Sequence, residues 1–235
     1  MSRQCLFAFL FLVSPTLAQA AALHVSPVLI EKTAPAAAAA LTVRNAGAEP
    51  MTVQTRVFRW VQVGGEDKLE PTADIAVSPP MMKLQPGVDN VVRIVRTSKQ
   101  PIVSEQSYRV VVDELPVAGR ARSGTVNFLV RHSIPVFFRP PTETPPAADW
   151  LATRSGRQIT LTLNNRGQRR LRVADLLVKD ASGAKVAQNS GLVGYALAGS
   201  TVRWTLPASG GAGPYNIEAT SESGAIRAKA GQAPR

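Results

Sequence analysis

Residues able to carry out chemistry are scarce in this chain. It has two histidines, His24 and His132, and one cysteine, Cys5. A serine or cysteine nucleophile usually needs a histidine base. No G-x-S-x-G or H-E-x-x-H motif surrounds either imidazole, which argues against a secreted hydrolase. His132 reads as a strand residue rather than a base. One cysteine excludes a disulfide framework, and this Cys/His inventory excludes a zinc cluster. No metal and no cofactor are expected. What the chain has in quantity is positive charge: 27 Lys and Arg against 16 Asp and Glu, a net +11. Alone, that charge suits nucleic acid, a membrane surface or an acidic protein partner.

The first twenty residues decide between these. Arg3 gives a short basic region, and Leu6 to Val13 is an apolar run too short to span a bilayer. Ala18-Gln19-Ala20 then offers small residues at the −3 and −1 positions of a cleavage site. Residues 1–20 therefore read as a secretory signal peptide. Cys5 opens the apolar run rather than following it, so a lipoprotein anchor is not expected. No later stretch is apolar and long enough for membrane insertion, and the product is expected to be soluble outside the cytoplasm. An exported protein does not meet the genome. Its basic residues are also spread without aromatic stacking motifs, which argues against nucleic acid. The charge then points to an acidic or carboxylate-bearing partner.

The elements that must position such a partner follow a period of two. Leu41 and Val43 run into the turn Asn45-Ala46-Gly47, and Met51, Val53, Thr55 and Val57 alternate next. Phe58 and Trp60 take the opposite phase, which predicts a bulge or a strand covered on both faces. Val92 and Ile94, then Tyr108, Val110 and Val112, then Val126, Phe128, Val130 and His132 continue the series, with Ile134 to Phe138 beyond. Ala36 to Ala40 reads as a loop, with one helical turn as the competing view. Pro140 to Pro146 holds four prolines in seven residues and favours a stiff extended segment. A second series follows: Ile159, Leu161 and Leu163, a hairpin-type turn at Asn164 to Gly167, Leu171 and Val173, then Val202 to Leu206. A last pair, Tyr215 to Ala219 and Ile226 to Ala228, turns through Gly224. The fold class is all-β: two β-sandwich-like domains, residues 21–140 and 148–235, joined by a Pro-rich hinge at 141–147.

The ordered set Asn45-Ala46-Gly47, Trp60, Pro79-Pro80, Leu84-Gln85-Pro86-Gly87, Val92-Arg93-Ile94, Tyr108-Arg109-Val110, Glu114-Leu115-Pro116 and Phe138-Arg139-Pro140 resembles the PapD-like periplasmic pilus-assembly chaperones. The resemblance spans Leu23 to Pro140 and weakens in the second domain. It implies two immunoglobulin-like sandwiches, and a protein that holds unfinished pilus subunits in the periplasm and hands them to an outer-membrane usher. Such a chaperone lends an edge strand to a subunit that lacks one, a form of strand addition. By the resemblance, Val126, Phe128, Val130 and Ile134 are the donor row, although alternation alone equally allows them to be core. Glu114 and Arg139 match an ionic pair between the domains. The acidic third member would fall near Ser209, so a reduced interdomain network is expected. The short segment from Pro116 to Val126 resembles the short-loop branch of the family.

Familiar members grip the subunit's terminal carboxylate with an Arg on the first strand and a Lys on the donor strand. Here Leu29 and Pro135 stand at those positions. Together with Ser26-Pro27 and Ile134-Pro135-Val136-Phe137, this looks like the archaic, alternative branch. A different basic residue must then supply the grip, because a guanidinium fork matches both carboxylate oxygens. Arg93, in its Val-Val-Arg-Ile-Val setting, and Arg131 are the candidates. The alternative function is a secreted two-domain sandwich that binds or adheres. Such a module usually shows exposed loop aromatics or an acidic calcium cluster, and the sequence has neither.

The leader generates the first prediction. Edman sequencing of protein from a periplasmic extract should begin at or near Ala21. A cytoplasmic pool still carrying Met1 would contradict export.

Overall fold

The computed structural model describes residues 22–116 and 128–232, all of it strands, turns and connections. The expected signal peptide, Val126 and the rest of the short segment after Pro116 lie outside the described residues.

Ten strands build the first domain: β1 (Leu23–Ser26), β2 (Ile30–Thr33), β3 (Ala38–Asn45), β4 (Met51–Val63), β5 (Glu66–Pro71), β6 (Ile75–Ser78), β7 (Met81–Leu84), β8 (Asp89–Arg96), β9 (Gln106–Glu114) and β10 (Arg131–Arg139). One sheet runs β1-β3-β8-β6, and the other runs β2-β10-β9-β4-β5, with β7 also on β4. Leu41, Val43, Val53, Val92, Ile94, Tyr108, Val110, Val136 and Phe138 interlock between them. They occupy alternate positions because successive side chains of a strand point to opposite faces. The alanine run is neither loop nor helix in its second half. Ala38, Ala39 and Ala40 pair with Val95, Ile94 and Arg93 of β8, so sheet pairing overrides alanine's helical propensity.

The second domain has β11 (Ala148–Ser155), β12 (Gln158–Asn165), β13 (Leu171–Lys179), β14 (Lys185–Ala196), β15 (Thr201–Pro207), β16 (Tyr215–Ser221) and β17 (Gly224–Gln232). Their order is β14-β13-β16-β17-β11-β12-β15. The β16–β17 hairpin turns as expected, with Gly224 at φ 115°. Asn164 to Gly167 is not a hairpin, because β12 pairs β11 and β15 while β13 pairs β14 and β16. Instead the Asn165 carboxamide is buried at a corner between sheets. It donates to the Arg169, Ala196 and Leu197 carbonyls and accepts from Gly167 and Ala147. Asn45 does the same in the first domain, donating to the Glu49 and Leu84 carbonyls and accepting from Gly47. A buried carboxamide that satisfies several backbone groups fixes a chain crossing. Strand β14 has no clear period of two in sequence, since its register against β13 shifts repeatedly.

The domains meet on the outer face of the β10-β9-β4 sheet. Trp60 and Phe137 pack there against Tyr195 and Leu197, with Leu29 at their margin. Strand β4 pairs β9 without a register break. The opposite phase of Trp60 therefore reflects cover on both faces, not a bulge. Beside the aromatics lies Arg170, whose side chain is wholly buried. It meets Glu105 at 2.5 Å, Glu222 at 3.1 Å, and Glu31. Its guanidinium lies 3.7 Å from the centre of the Phe137 ring. Glu31 and Glu105 belong to the first domain and Arg170 and Glu222 to the second, so one cation ties the two together.

This corrects the expected pairing of Glu114 with Arg139. Strands β9 and β10 are antiparallel, and Glu114 and Arg139 stand at opposite ends of the ladder. The Glu114 carboxylate accepts from the Val130 N–H, while Arg139 donates to Thr33 Oγ1 and meets Glu143 at 3.4 Å. Nor is the interdomain network reduced. Its acidic members come from β2, from the residue before β9 and from the β16–β17 turn instead of from Ser209. Between β10 and β11, Glu143 also meets Arg169, and Gly167 lies so close to Pro145 that a Cβ there would sit 2.2 Å from its carbonyl oxygen. The proline-rich connection is thereby pinned to the second domain.

Burial pushes the Glu105 carboxyl up, and Arg170 offsets only part of that. Burial also acts on Glu31, but the Arg170 hydrogen bond and charge outweigh it and hold Glu31 below its ordinary value. Arg170→Ala leaves Glu105 buried without its cation, and breaking a buried pair costs about 3–5 kcal/mol. An acid whose folded pKa is raised loses stability as pH climbs through that pKa, and removing Arg170 raises it further. Urea melts should therefore show the variant's deficit largest at neutral pH and smaller as pH falls toward 5. A deficit that grows on acidification would contradict the role given to Glu105.

Candidate partner-binding site

Strand β10 carries the candidate site. One of its edges pairs with β9 along Arg131 to Phe138. On the other edge β2 runs parallel to it only from Val136 to Arg139. Among the described residues, nothing pairs with the β10 edge from Arg131 to Pro135. An exposed row of backbone donors and acceptors is a template for a further strand.

The proposed donor row divides along its length. Phe128 is 87% exposed and precedes the strand. Val130 is half-buried against the first core. Ile134 is only 4% exposed and sits inside that core with Val136 and Phe138. It is therefore a core residue and not a projecting donor, because β2 and β1 close the sandwich around it. His132 shares this face and bonds through Nε2 to the Leu23 carbonyl at 2.9 Å, which links β10 to the edge strand of the facing sheet.

The opposite face of β10 looks toward the second domain. Register fixes three rows across the sheet: Gln54, Asp113 and Arg131; Arg56, Val111 and Ser133; Phe58, Arg109 and Pro135. Asp113 accepts from both Arg56, at 2.6 Å, and Arg131. Burial raises its carboxyl, and the two guanidinium hydrogen bonds more than reverse that, so it stays ionised. Arg131 is thus committed to Asp113. Arg93 lies elsewhere. It is exposed on β8 in the other sheet, between Ala40 and Ser78, and does not reach this face. Neither sequence candidate stands free at the site.

A third arginine does. Arg109 is half-buried, 3.7 Å over the centre of the Trp60 ring, with Nη1 donating to the Ser133 carbonyl at 3.3 Å. Burial lowers its pKa, and Asp67 and Tyr195 push the other way; a guanidinium remains charged throughout. Among the described residues no carboxylate pairs with it. Its Cα partner on β10 is Pro135. Arg109 stood in the quoted Tyr108-Arg109-Val110 motif, but nothing local marks it off from the other strand arginines. Its isolation arises from the fold, which spends Asp113 on Arg56 and Arg131. Among the described residues no group of His, Cys, Asp and Glu side chains could hold a metal ion.

With this geometry in hand, comparison with known proteins gives a consistent result. Residues 22–143 match the family model described as the pili and flagellar-assembly chaperone, PapD N-terminal domain. No curated protein matches the chain. Among solved structures, the chain is similar to the chaperone in the CsuC–CsuE chaperone–tip adhesion subunit pre-assembly complex from archaic chaperone-usher Csu pili of Acinetobacter baumannii. That similarity has 27% identity, a TM-score of 0.72, and covers 91% of this chain and 100% of that one. It shares its fold with the E. coli chaperone DraB at 22% identity and TM-score 0.60, over 89% of this chain and 96% of that one. The same holds for the Salmonella enterica SafA pilin–SafB chaperone complex, at 19% identity and TM-score 0.61, over 90% and 98%. Matched over more than half its length, the chain belongs to the PapD-like pilus-assembly chaperones, a family of binding proteins and not of enzymes.

Proposed function

We propose that the chain works in the periplasm, where it takes an unfinished pilus subunit onto the free edge of β10, completes the subunit's sheet and passes it to an outer-membrane usher. The observation that carries this reading is the open edge from Arg131 to Pro135, flanked by the exposed Phe128. Strand addition draws affinity from main-chain hydrogen bonds and specificity from alternate side chains. Phe128 supplies a projecting apolar side chain, with Val130 at the rim of the chaperone's own core. Burying one such side chain contributes roughly 1.5–3 kcal/mol.

The subunit's terminal carboxylate goes to Arg109, not to Arg93 or Arg131. A carboxylate entering the cleft loses water and needs charge-assisted donors. Arg109 is half-buried, lies 3.7 Å over the Trp60 ring and, among the described residues, is hydrogen-bonded only to a neutral carbonyl. Its exchange of that carbonyl for a carboxylate is favourable.

Affinity-tagged protein recovered from the periplasm of its native host tests the reading. A small β-rich subunit should co-purify with the unchanged chain, and Phe128→Ser should reduce its yield. Arg109→Ala should weaken capture at least about tenfold, in keeping with the loss of one partner of a buried charge pair. Its own stability should fall by only about 1 kcal/mol, the worth of the lost contact with Trp60. Arg93→Ala should capture normally. Equal capture by the unchanged chain and Arg109→Ala would remove the anchor, and the absence of any subunit would remove the function.

A further inference from the structure

The phase of β10 limits what its free edge offers. The Glu114 N–H bonds to the Val130 carbonyl at 2.9 Å. In an antiparallel ladder, such hydrogen-bonded pairs recur every second residue. Val130, His132 and Ile134 therefore point their backbone groups toward β9, and Arg131, Ser133 and Pro135 point theirs outward. The Ala34 N–H, which bonds to the Arg139 carbonyl at 2.9 Å, confirms the phase at the far end. The free stretch thus has two outward N–H groups, from Arg131 and Ser133. The third position is Pro135, which has none. From Val136 onward the same edge is taken by β2.

We propose that Pro135 is a register stop for the incoming strand. This rests on the strand-addition reading above. A strand whose carboxyl terminus reaches Arg109, the Cα partner of Pro135, must run parallel to β10. Strand β2 is parallel to β10 as well, so the incoming strand lies in line with β2 and ends where β2 begins. Any slip further along β10 meets a missing donor and then an occupied edge. Any slip back pulls the carboxylate away from Arg109. The ligand class is an extended peptide segment with alternating apolar residues and a free carboxyl terminus.

The probe is an eight-residue peptide of alternating valine and threonine, made with a free or an amidated carboxyl terminus. Amide hydrogen exchange is followed by NMR on the labelled protein. The free-acid peptide should slow exchange at Arg131 and Ser133 at least tenfold and leave His132, already bonded to β9, unchanged. In Pro135→Ala, the amide introduced at position 135 should also slow on binding. A photo-crosslinker near the peptide's carboxyl terminus should then report two registers where the unchanged chain shows one. Ser133→Pro moves the stop one outward position back and should cut affinity at least tenfold. This second variant also serves if Pro135→Ala fails to fold. If Arg131 and Ser133 are protected while both variants keep one register and full affinity, the stop is wrong and strand addition stands. If neither amide slows with either peptide, strand addition itself fails, and the stop with it.

Discussion

The contact on which the site depends is the buried guanidinium of Arg170. It joins Glu31 and Glu105 of one sandwich to Glu222 of the other and lies 3.7 Å from the centre of the Phe137 ring. Burying a charge costs several kcal/mol unless it is paired and hydrogen-bonded, so this cluster tolerates only one relation between the domains. The outcome is partial cover of one sheet face. Trp60 and Phe137 are sealed by Tyr195 and Leu197, whereas Arg56, Arg109 and Arg131 are left along the cleft. The hairpin of β4 and β5 adds a second tie. Gln62 donates to the Tyr195 carbonyl and accepts from the Leu197 N–H, and the Gly65 carbonyl accepts from the Arg203 N–H at 2.9 Å. Gly65 has φ 89°, and a Cβ there would meet Arg203 at 2.7 Å. Only glycine lets the hairpin approach β15 this closely.

Much of the framework is legible in the sequence because a strand writes its burial every second residue. Leu41 and Val43, Val92 and Ile94, and Tyr108 to Val112 are core as the alternation says. What alternation does not encode is whose core a face joins. Val130 and Ile134 share a face with Phe128, yet Ile134 is enclosed and Phe128 stands in solvent, because β2 pairs β10 at one end only. The ion pairs were less legible still. Arg170 sits in an Arg-Arg-Leu-Arg run with no acidic residue beside it. Its two carboxylate partners from the first domain come from 65 and 139 positions away, and no local spacing announces them. Glu114 and Arg139 failed as a pair for a related reason: residues at opposite ends of two antiparallel strands stay apart whatever their charges.

The edge at β5 is blunted by charge. Strand β5 is exposed throughout and carries Glu66, Asp67, Lys68 and Glu70, and charged edges discourage pairing with another chain. The free part of β10 has no such guard directed along the edge. Arg131 is turned onto Asp113, and Ser133 and Pro135 carry no charge. An unguarded edge is a liability for a soluble protein unless its pairing is wanted and bounded, and here the proline and the start of β2 limit its reach.

The same selectivity governs the charges of the cleft. Among the described residues Arg56, Arg109 and Arg131 stand along it, and the Asp113 carboxylate answers two of them, Arg56 and Arg131. The third rests on an aromatic ring. Stacking on Trp60 attracts the Arg109 guanidinium through the ring's quadrupole without neutralising it, and the Ser133 carbonyl takes one N–H without adding charge. A carboxylate in that place would have stabilised the empty protein more, and would have left nothing for an anionic partner. A neutral side chain would have left nothing to bind it. The cation is therefore held in position by contacts too weak to compete with a carboxylate, and on the function proposed above that difference is what the cleft offers a carboxylate-bearing partner.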